Sequence, residues 1–117
     1  RYGILLDMCG AKDARFYREA ISMQFASGIV HKVWRTAESL GYVDRFVQET
    51  KYFVGTDDHL PINKQLRIPT IDIIEFNAGT NAFHPSWHTH GDDMSVIDAA
   101  TLDVVGRTVL ETIWRER

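Results

Sequence analysis

Apolar residues along the chain follow two different spacings. Near-continuous apolar runs at 3–8 and 67–76 are typical of strands buried on both faces, and a strand with a loop is expected over 42–55. Over 29–40 and 102–113 the apolar residues recur at helical spacing instead. Strands that alternate with helices predict a layered α/β domain with a parallel or mixed sheet flanked by helices.

Small polar residues and glycine indicate where the helices begin and end. Ser27 is expected to cap the first long helix, and Gly41 to end it in the left-handed conformation. Asp98 is expected to cap the last helix, and a short helix is predicted over 58–66. The segment 11–25 has no clear period, so we expect a turn followed by a short strand or irregular chain.

Length and composition narrow the class of protein. With 117 residues, 44% of them apolar, the chain can form one domain with a real core. The net charge of −3 is spread without a basic stripe, so we expect no nucleic-acid partner, and no apolar run is long enough to span a membrane. Cys9 is the single cysteine and therefore cannot form an internal disulfide or a thiolate zinc site. Only Arg1, Tyr2 and Gly3 precede the apolar run that starts at Ile4, so we expect a C-terminal piece of a longer protein.

Two aspartates interrupt the apolar strands. Asp7 and Asp72 each lie among Ile, Leu and Met residues, where an isolated carboxylate costs several kcal/mol unless it is paired, hydrogen-bonded or bound to metal. Each alone could be a structural partner of an arginine or of backbone amides. Two such residues, on strands that end at the same edge of one sheet, favour a functional site.

Two polar clusters lie outside the strands. The sequence 87–93, WHTHGDD, follows a buried strand, and its His88 is of the residue type that most often binds zinc, although Asp92 or Asp93 could simply cap a turn. Asp57 and Asp58 precede the short helix, where one of them is expected to be an ordinary cap. Adjacent acids also allow one carboxyl to keep a proton and act in a proton relay.

An ordered set of motifs resembles a known superfamily. LLDMCGAKDARFY, TDDHLPIN, IPTIDII and SWHTHGDD followed by a helix resemble the C-terminal half of the zinc aminopeptidase and glutaminyl cyclase superfamily. Within it, the chain is most similar to the animal-type glutaminyl cyclases found in some bacteria. The resemblance implies a three-layer α/β/α fold with a mixed, mostly parallel sheet, of which residues 1–117 are the C-terminal portion of a single catalytic domain.

The resemblance also implies roles for individual residues. His88 would be the last Zn²⁺ ligand, and Trp87 would line the substrate pocket beside it. Asp7 and Asp57 would join a hydrogen-bond network with a catalytic glutamate, whereas in di-zinc aminopeptidases the position of Asp7 binds a second metal. Asp58 and Asp72 are assigned to substrate binding. Asp72 stands where animal cyclases carry a histidine, and the loop 77–86 is longer, so the network and the pocket must differ there.

The implied activity is cyclisation of an N-terminal glutamine to pyroglutamate with release of ammonia, assisted by zinc. Two alternatives stay open: a di-zinc aminopeptidase, and a non-catalytic binding domain that kept the fold. The other zinc ligands and the catalytic glutamate would lie outside these residues, so the chain by itself is expected to be inactive and to self-associate. Relatives of this kind act on exported peptides, which suggests a periplasmic or secreted setting.

Overall fold

Strands and helices alternate along the chain, as the apolar pattern predicts. The structure, a computed structural model, describes residues 1–51 and 56–116, so the part of the predicted strand and loop at 52–55 lies outside the described residues. In chain order the elements are β1 Gly3–Asp7, β2 Phe16–Glu19, α1 Ala20–Ser39, β3 Phe46–Lys51, α2 His59–Pro61 continued by a π-helical turn Ile62–Leu66, β4 Thr70–Ile74, a 3₁₀ turn Met94–Val96, and α3 Ala99–Trp114.

The strands form two parallel pairs. β1 pairs with β4 in the register Gly3↔Thr70 to Asp7↔Ile74, and β2 pairs with β3. An isolated antiparallel bridge between Phe16 and Glu75 joins the two pairs. The predicted mixed α/β architecture with a mostly parallel sheet is therefore confirmed.

The strands β1 and β4, both predicted to be buried on two faces, differ in how far they are buried. All five residues of β4 are buried, as predicted. The prediction for β1 is wrong, because its residues are only partly buried and Leu6 is 48% exposed. Among residues 1–51 and 56–116, β1 has a strand neighbour only on its β4 side, which leaves its other edge uncovered.

Helix α1 begins earlier than predicted. It starts at Ala20, and the residue that caps it is Glu19 rather than Ser27. Its backbone leaves helical geometry at Ala26 (φ −146°, ψ 39°), so the predicted start coincides with a kink inside the helix. Gly41 follows the helix with φ 87°, as expected.

The predicted apolar face of α1 builds the core. Its buried residues pack with Phe16 and Phe46 of the two parallel strands; they are Val30, Val33, Trp34 and Ala37. The indole Nε1 of Trp34 donates a hydrogen bond of 2.8 Å to the carbonyl of Val47. One large side chain thus joins the helix to β3.

Helix α3 is capped as predicted but buries a different face. Asp98 accepts a hydrogen bond of 3.2 Å from the backbone N–H of Thr101. The expected apolar face is wrong in part, because Leu102 and Ile113 are exposed. The buried residues are Thr101, Val105, Thr108 and Thr112. Threonine hydroxyls that donate to carbonyls four residues back make this burial possible.

In the described part of the chain, no helix combines the length and the apolar character that a membrane crossing requires.

Candidate active site

Asp7 and Asp72 lie on the same face of two neighbouring strands. The register pairs Leu5 with Asp72 and Asp7 with Ile74, and side chains on a strand alternate between its faces. Asp7 is the last residue of β1, and Asp72 lies two residues before Ile74, the residue that pairs with Asp7. The two strands therefore end at the same edge of the sheet, as expected, and carry both acids on one face.

Asp72 is a buried carboxyl group without an ordinary partner. It is 1% exposed, and within the described ranges neither of its oxygens accepts a hydrogen bond from an N–H or hydroxyl group. Among residues 1–51 and 56–116, neither an arginine nor a backbone amide compensates the Asp72 carboxyl. Burial, together with a hydrogen bond to the Asp57 carboxyl and the charges of neighbouring acids, raises the pKa of Asp72 to about 9. At neutral pH Asp72 keeps its proton and can donate it in a hydrogen bond.

Asp57 connects the two strand acids. Burial raises the pKa of Asp7, and the charge of Asp57 and a hydrogen bond with its carboxyl raise it further. Asp57 also hydrogen-bonds Asp72. We call Asp7, Asp57 and Asp72 the carboxyl cluster. The neighbouring acids oppose ionisation of Asp7 and Asp72, which is why the pKa of each of these two carboxyls is raised.

The first two residues of the Asp-Asp-His sequence do not cap the short helix. Asp58 occupies the N-cap position of α2, but its side chain makes no capping hydrogen bond. Oδ1 of Asp57 accepts a hydrogen bond of 2.7 Å from the N–H of Asp58, which orients the Asp57 carboxyl instead. The charge of Asp58 contributes to the raised pKa of Asp7. Asp58 therefore lies near the carboxyl cluster.

Two further buried residues were not found from the sequence. His59 is fully buried, with Nε2 2.8 Å from Oε2 of Glu19 and Nδ1 3.8 Å from Oδ2 of Asp72. Glu19 also accepts hydrogen bonds from the N–H groups of Ile21 and Ser22, each 2.8 Å long. Burial alone would raise the pKa of Glu19, but the hydrogen bonds from His59 and from these amides lower it.

Glu19 and His59 were missed because neither sits in a recognisable pattern. Glutamate is not among the favoured N-cap residues, so the start of α1 at Glu19 carried no signal. His59 was visible in the Asp-Asp-His sequence, but nothing in the sequence shows that α2 turns it inward. The available signal was the adjacency of His59 to two acids.

Trp87 and His88 form a second group. Their rings stack with centroids 3.9 Å apart and an interplanar angle of 20°. Trp87 lines a cavity of about 60 Å³ with Met8, Glu75 and His84 among others. Met8, one of the lining residues, directly follows Asp7 in the sequence.

The described residues supply only some of the ligands that a zinc ion needs. His88 is exposed, and its ring makes no hydrogen bond within residues 1–51 and 56–116, so both nitrogens are available as ligands. A single imidazole cannot hold zinc without further ligands. The one group of three potential ligands in the described ranges is Asp57, His59 and Asp72, whose atoms lie within 4.8 Å of one another. We interpret that group as hydrogen-bonded, because Nε2 of His59 lies 2.8 Å from Oε2 of Glu19 and the Asp57 carboxyl helps to raise the pKa of Asp72.

Solved structures resemble the chain over its whole length. A Bacteroides thetaiotaomicron glutaminyl cyclase bound to N-acetylhistamine is 48% identical, with a TM-score of 0.95 over 100% of this chain and 39% of that one. A Porphyromonas gingivalis glutaminyl cyclase is 44% identical (TM-score 0.94, 99% and 42%). A Zn-dependent exopeptidase from Parabacteroides distasonis is 43% identical (TM-score 0.92, 99% and 39%). The chain thus spans about two fifths of the length of these structures.

The fold and these likenesses define the class as zinc exopeptidase-like. The family model of peptidase family M28 matches residues 1–113, and the chain belongs to that family. Among curated proteins the comparison found no match. The resemblance found in the motifs is confirmed, and the related structures are named as enzymes of two kinds, cyclases and exopeptidases.

Proposed function

We propose that this chain is the C-terminal portion of the catalytic domain of a zinc-dependent glutaminyl cyclase. The enzyme converts the N-terminal glutamine of a peptide to pyroglutamate. The observation that carries the proposal is the carboxyl cluster, in which Asp7 hydrogen-bonds Asp57 and has a raised pKa. In a di-zinc aminopeptidase Asp7 would instead bind a second metal ion, so the number of zinc ions per protein separates the two activities. Two of the related structures are also named as glutaminyl cyclases.

In the proposed reaction the α-amine of the substrate attacks the side-chain amide carbon. The new C–N bond closes the five-membered ring, and the bond to the amide nitrogen breaks. One proton moves from the amine to the departing nitrogen, which leaves as ammonia. Zinc, held by His88 and by ligands from outside this chain, would polarise the amide carbonyl.

The residues of this chain orient the groups and hold protons. Asp7 and Asp57 keep the proton-carrying carboxylate of the full enzyme in position, with Asp72 as the hydrogen-bond donor behind Asp57. Trp87 lines the pocket and excludes water, which would otherwise hydrolyse the amide. Asp58 borders the substrate site, and the buried Asp72 contributes to substrate binding through Asp57.

Zinc stoichiometry and product analysis of the full-length protein test the proposal. We expect one zinc per protein, ammonia release from glutaminyl peptides and no hydrolysis of aminoacyl anilides. The Asp7→Asn variant should keep its zinc and lose activity by roughly a hundredfold or more, the scale of general acid–base catalysis. Asp103→Asn, at an exposed ion pair with Arg107, is the control and should keep full activity.

The alternatives give different results. Two zinc ions, one of them lost in Asp7→Asn, together with anilide hydrolysis would establish an aminopeptidase. A protein that binds no zinc and releases neither product would be the non-catalytic binding domain.

A further inference from the structure

A buried chain of polar groups runs from the start of α1 to the carboxyl cluster. Oε2 of Glu19 lies 2.8 Å from Nε2 of His59, and Nδ1 on the other side of that ring lies 3.8 Å from Oδ2 of Asp72. Ser22 joins the two ends, because its hydroxyl donates to Oε2 of Glu19 and accepts from the N–H of Asp72, at 2.8 and 2.9 Å. The side chains of Glu19, His59 and Asp72 are all buried.

The contacts of Glu19 determine which nitrogen of His59 carries hydrogen. Glu19 receives hydrogen bonds from the backbone N–H groups of Ile21 and Ser22 and from the Ser22 hydroxyl, so it is an ionised carboxylate that can only accept. Nε2 of His59 must then be the donor at 2.8 Å. In the neutral ring this leaves Nδ1 without hydrogen.

The Nδ1 lone pair faces the Asp72 carboxyl. No hydrogen bond reaches Nδ1 among the described residues, and 3.8 Å is too long for a direct one. A lone pair beside a carboxylate is unfavourable in a buried site, whereas a lone pair beside a neutral carboxyl group is not. The Nε2–H form of His59 therefore favours a protonated Asp72, and a protonated Asp72 donates to Asp57.

We propose that Glu19 and His59 are positioning residues, which set the direction of the hydrogen bond from Asp72 to Asp57. Glu19 selects the Nε2–H tautomer of His59, and that tautomer keeps the hydrogen on Asp72. With the other tautomer, the Nδ1–H group would face Asp72 and favour its ionised form, and the hydrogen bond with Asp57 would reverse. The inference rests on the proposed function, because the carboxyl cluster acts as a hydrogen-bond network in the cyclase, whereas in an aminopeptidase Asp7 would bind metal.

Nitrogen-15 NMR of the histidine rings in the full-length protein reads the tautomer directly. In the wild type we expect His59 to show a protonated Nε2 and an unprotonated Nδ1. A wild-type His59 with hydrogen on Nδ1 overturns the proposal. This readout does not depend on activity.

Steady-state kinetics of two variants test the consequence for the reaction. Glu19→Ala should lose the single tautomer and lower kcat by about 10–100-fold, the range found for residues that orient metal ligands, with little change in KM. Glu19→Gln keeps an acceptor for Nε2–H, so it should recover the tautomer and most of kcat. An unchanged kcat in Glu19→Ala, or a Glu19→Gln variant as impaired as Glu19→Ala, overturns the proposal.

Asp98→Ala is the matched control, since Asp98 caps α3 as Glu19 caps α1 but makes none of the contacts to His59. It should lower stability and leave kcat and the His59 tautomer unchanged. If Glu19→Ala does not fold, the wild-type tautomer and the Glu19→Gln kinetics still decide. A wild type that forms no pyroglutamate refutes the proposed function, whereas one that forms it with hydrogen on Nδ1 of His59 refutes only the positioning role.

Discussion

Replacement of Asp72 by asparagine should change how stability depends on pH. The pKa of Asp72 is raised to about 9 in the folded protein, mainly by burial, against an ordinary value near 3.8. Between these two values the unfolded chain releases a proton that the folded protein keeps. The unfolded state then binds fewer protons than the folded state, so the free energy of unfolding falls as pH rises. Asp72→Asn removes this dependence.

The size of the effect follows from the proton count. One proton held only by the folded state lowers the free energy of unfolding by up to about 1.4 kcal/mol for each unit by which the pH rises. Between about pH 5 and about pH 8, the free energy of unfolding of Asp72→Asn should therefore rise by up to about 4 kcal/mol relative to that of the wild type. Any loss or gain from the asparagine contacts themselves is independent of pH, so the difference in slope isolates the carboxyl group.

Urea unfolding of the full-length protein at several pH values in that range measures the slopes. The control is Asp103→Asn, because Asp103 is exposed on α3 and should leave the slope of the wild type unchanged. If the free energy of unfolding changed with pH in the same way in the wild type and in Asp72→Asn, the reasoning would be refuted. Such a result would show that Asp72 is ionised in the folded protein at neutral pH.

Three further outcomes are expected. Burial raises the pKa of Cys9 to about 12, so its thiol should resist thiol reagents near neutral pH, and rapid labelling would contradict this. Asp98→Ala should lower the free energy of unfolding by about 1 kcal/mol in a urea titration, whereas Asp98→Asn, which keeps a capping oxygen, should cost less; equal losses would rule out the cap as the cause. The isolated chain of 117 residues should self-associate in light scattering through exposed residues such as Leu110 (67% exposed), and Leu110→Glu should reduce the measured mass.

The parts of the fold that depend on local pattern were predictable. Gly41, Asp98 and the buried strand β4 were assigned correctly, because each follows from backbone conformation, capping or an apolar run within a few residues. The start of α1 was wrong because Glu19 caps it through contacts that also serve His59. A residue chosen for a tertiary contact does not follow local preferences.

The candidate site was predictable in its residue types but not in its connections. Asp7 and Asp72 were recognised because a carboxyl group in an apolar strand is costly, and the structure places both on one face. In the described part of the chain no arginine pairs with Asp72, which lies instead beside the ring of His59 because of the way α2 packs against β4. Such packing brings together residues 13 positions apart in sequence and leaves no mark on either segment alone.

The pairing of β1 with β4 has a consequence for biosynthesis. Asp7 leaves the ribosome 65 residues before Asp72, which at about 5–20 residues per second is a delay of roughly 3–13 s. During that time the first strand has no hydrogen-bonded neighbour on its future β4 side, and closing so long a loop is slow. The nascent polypeptide should therefore be most prone to aggregate, and most dependent on chaperones, until translation passes Ile74.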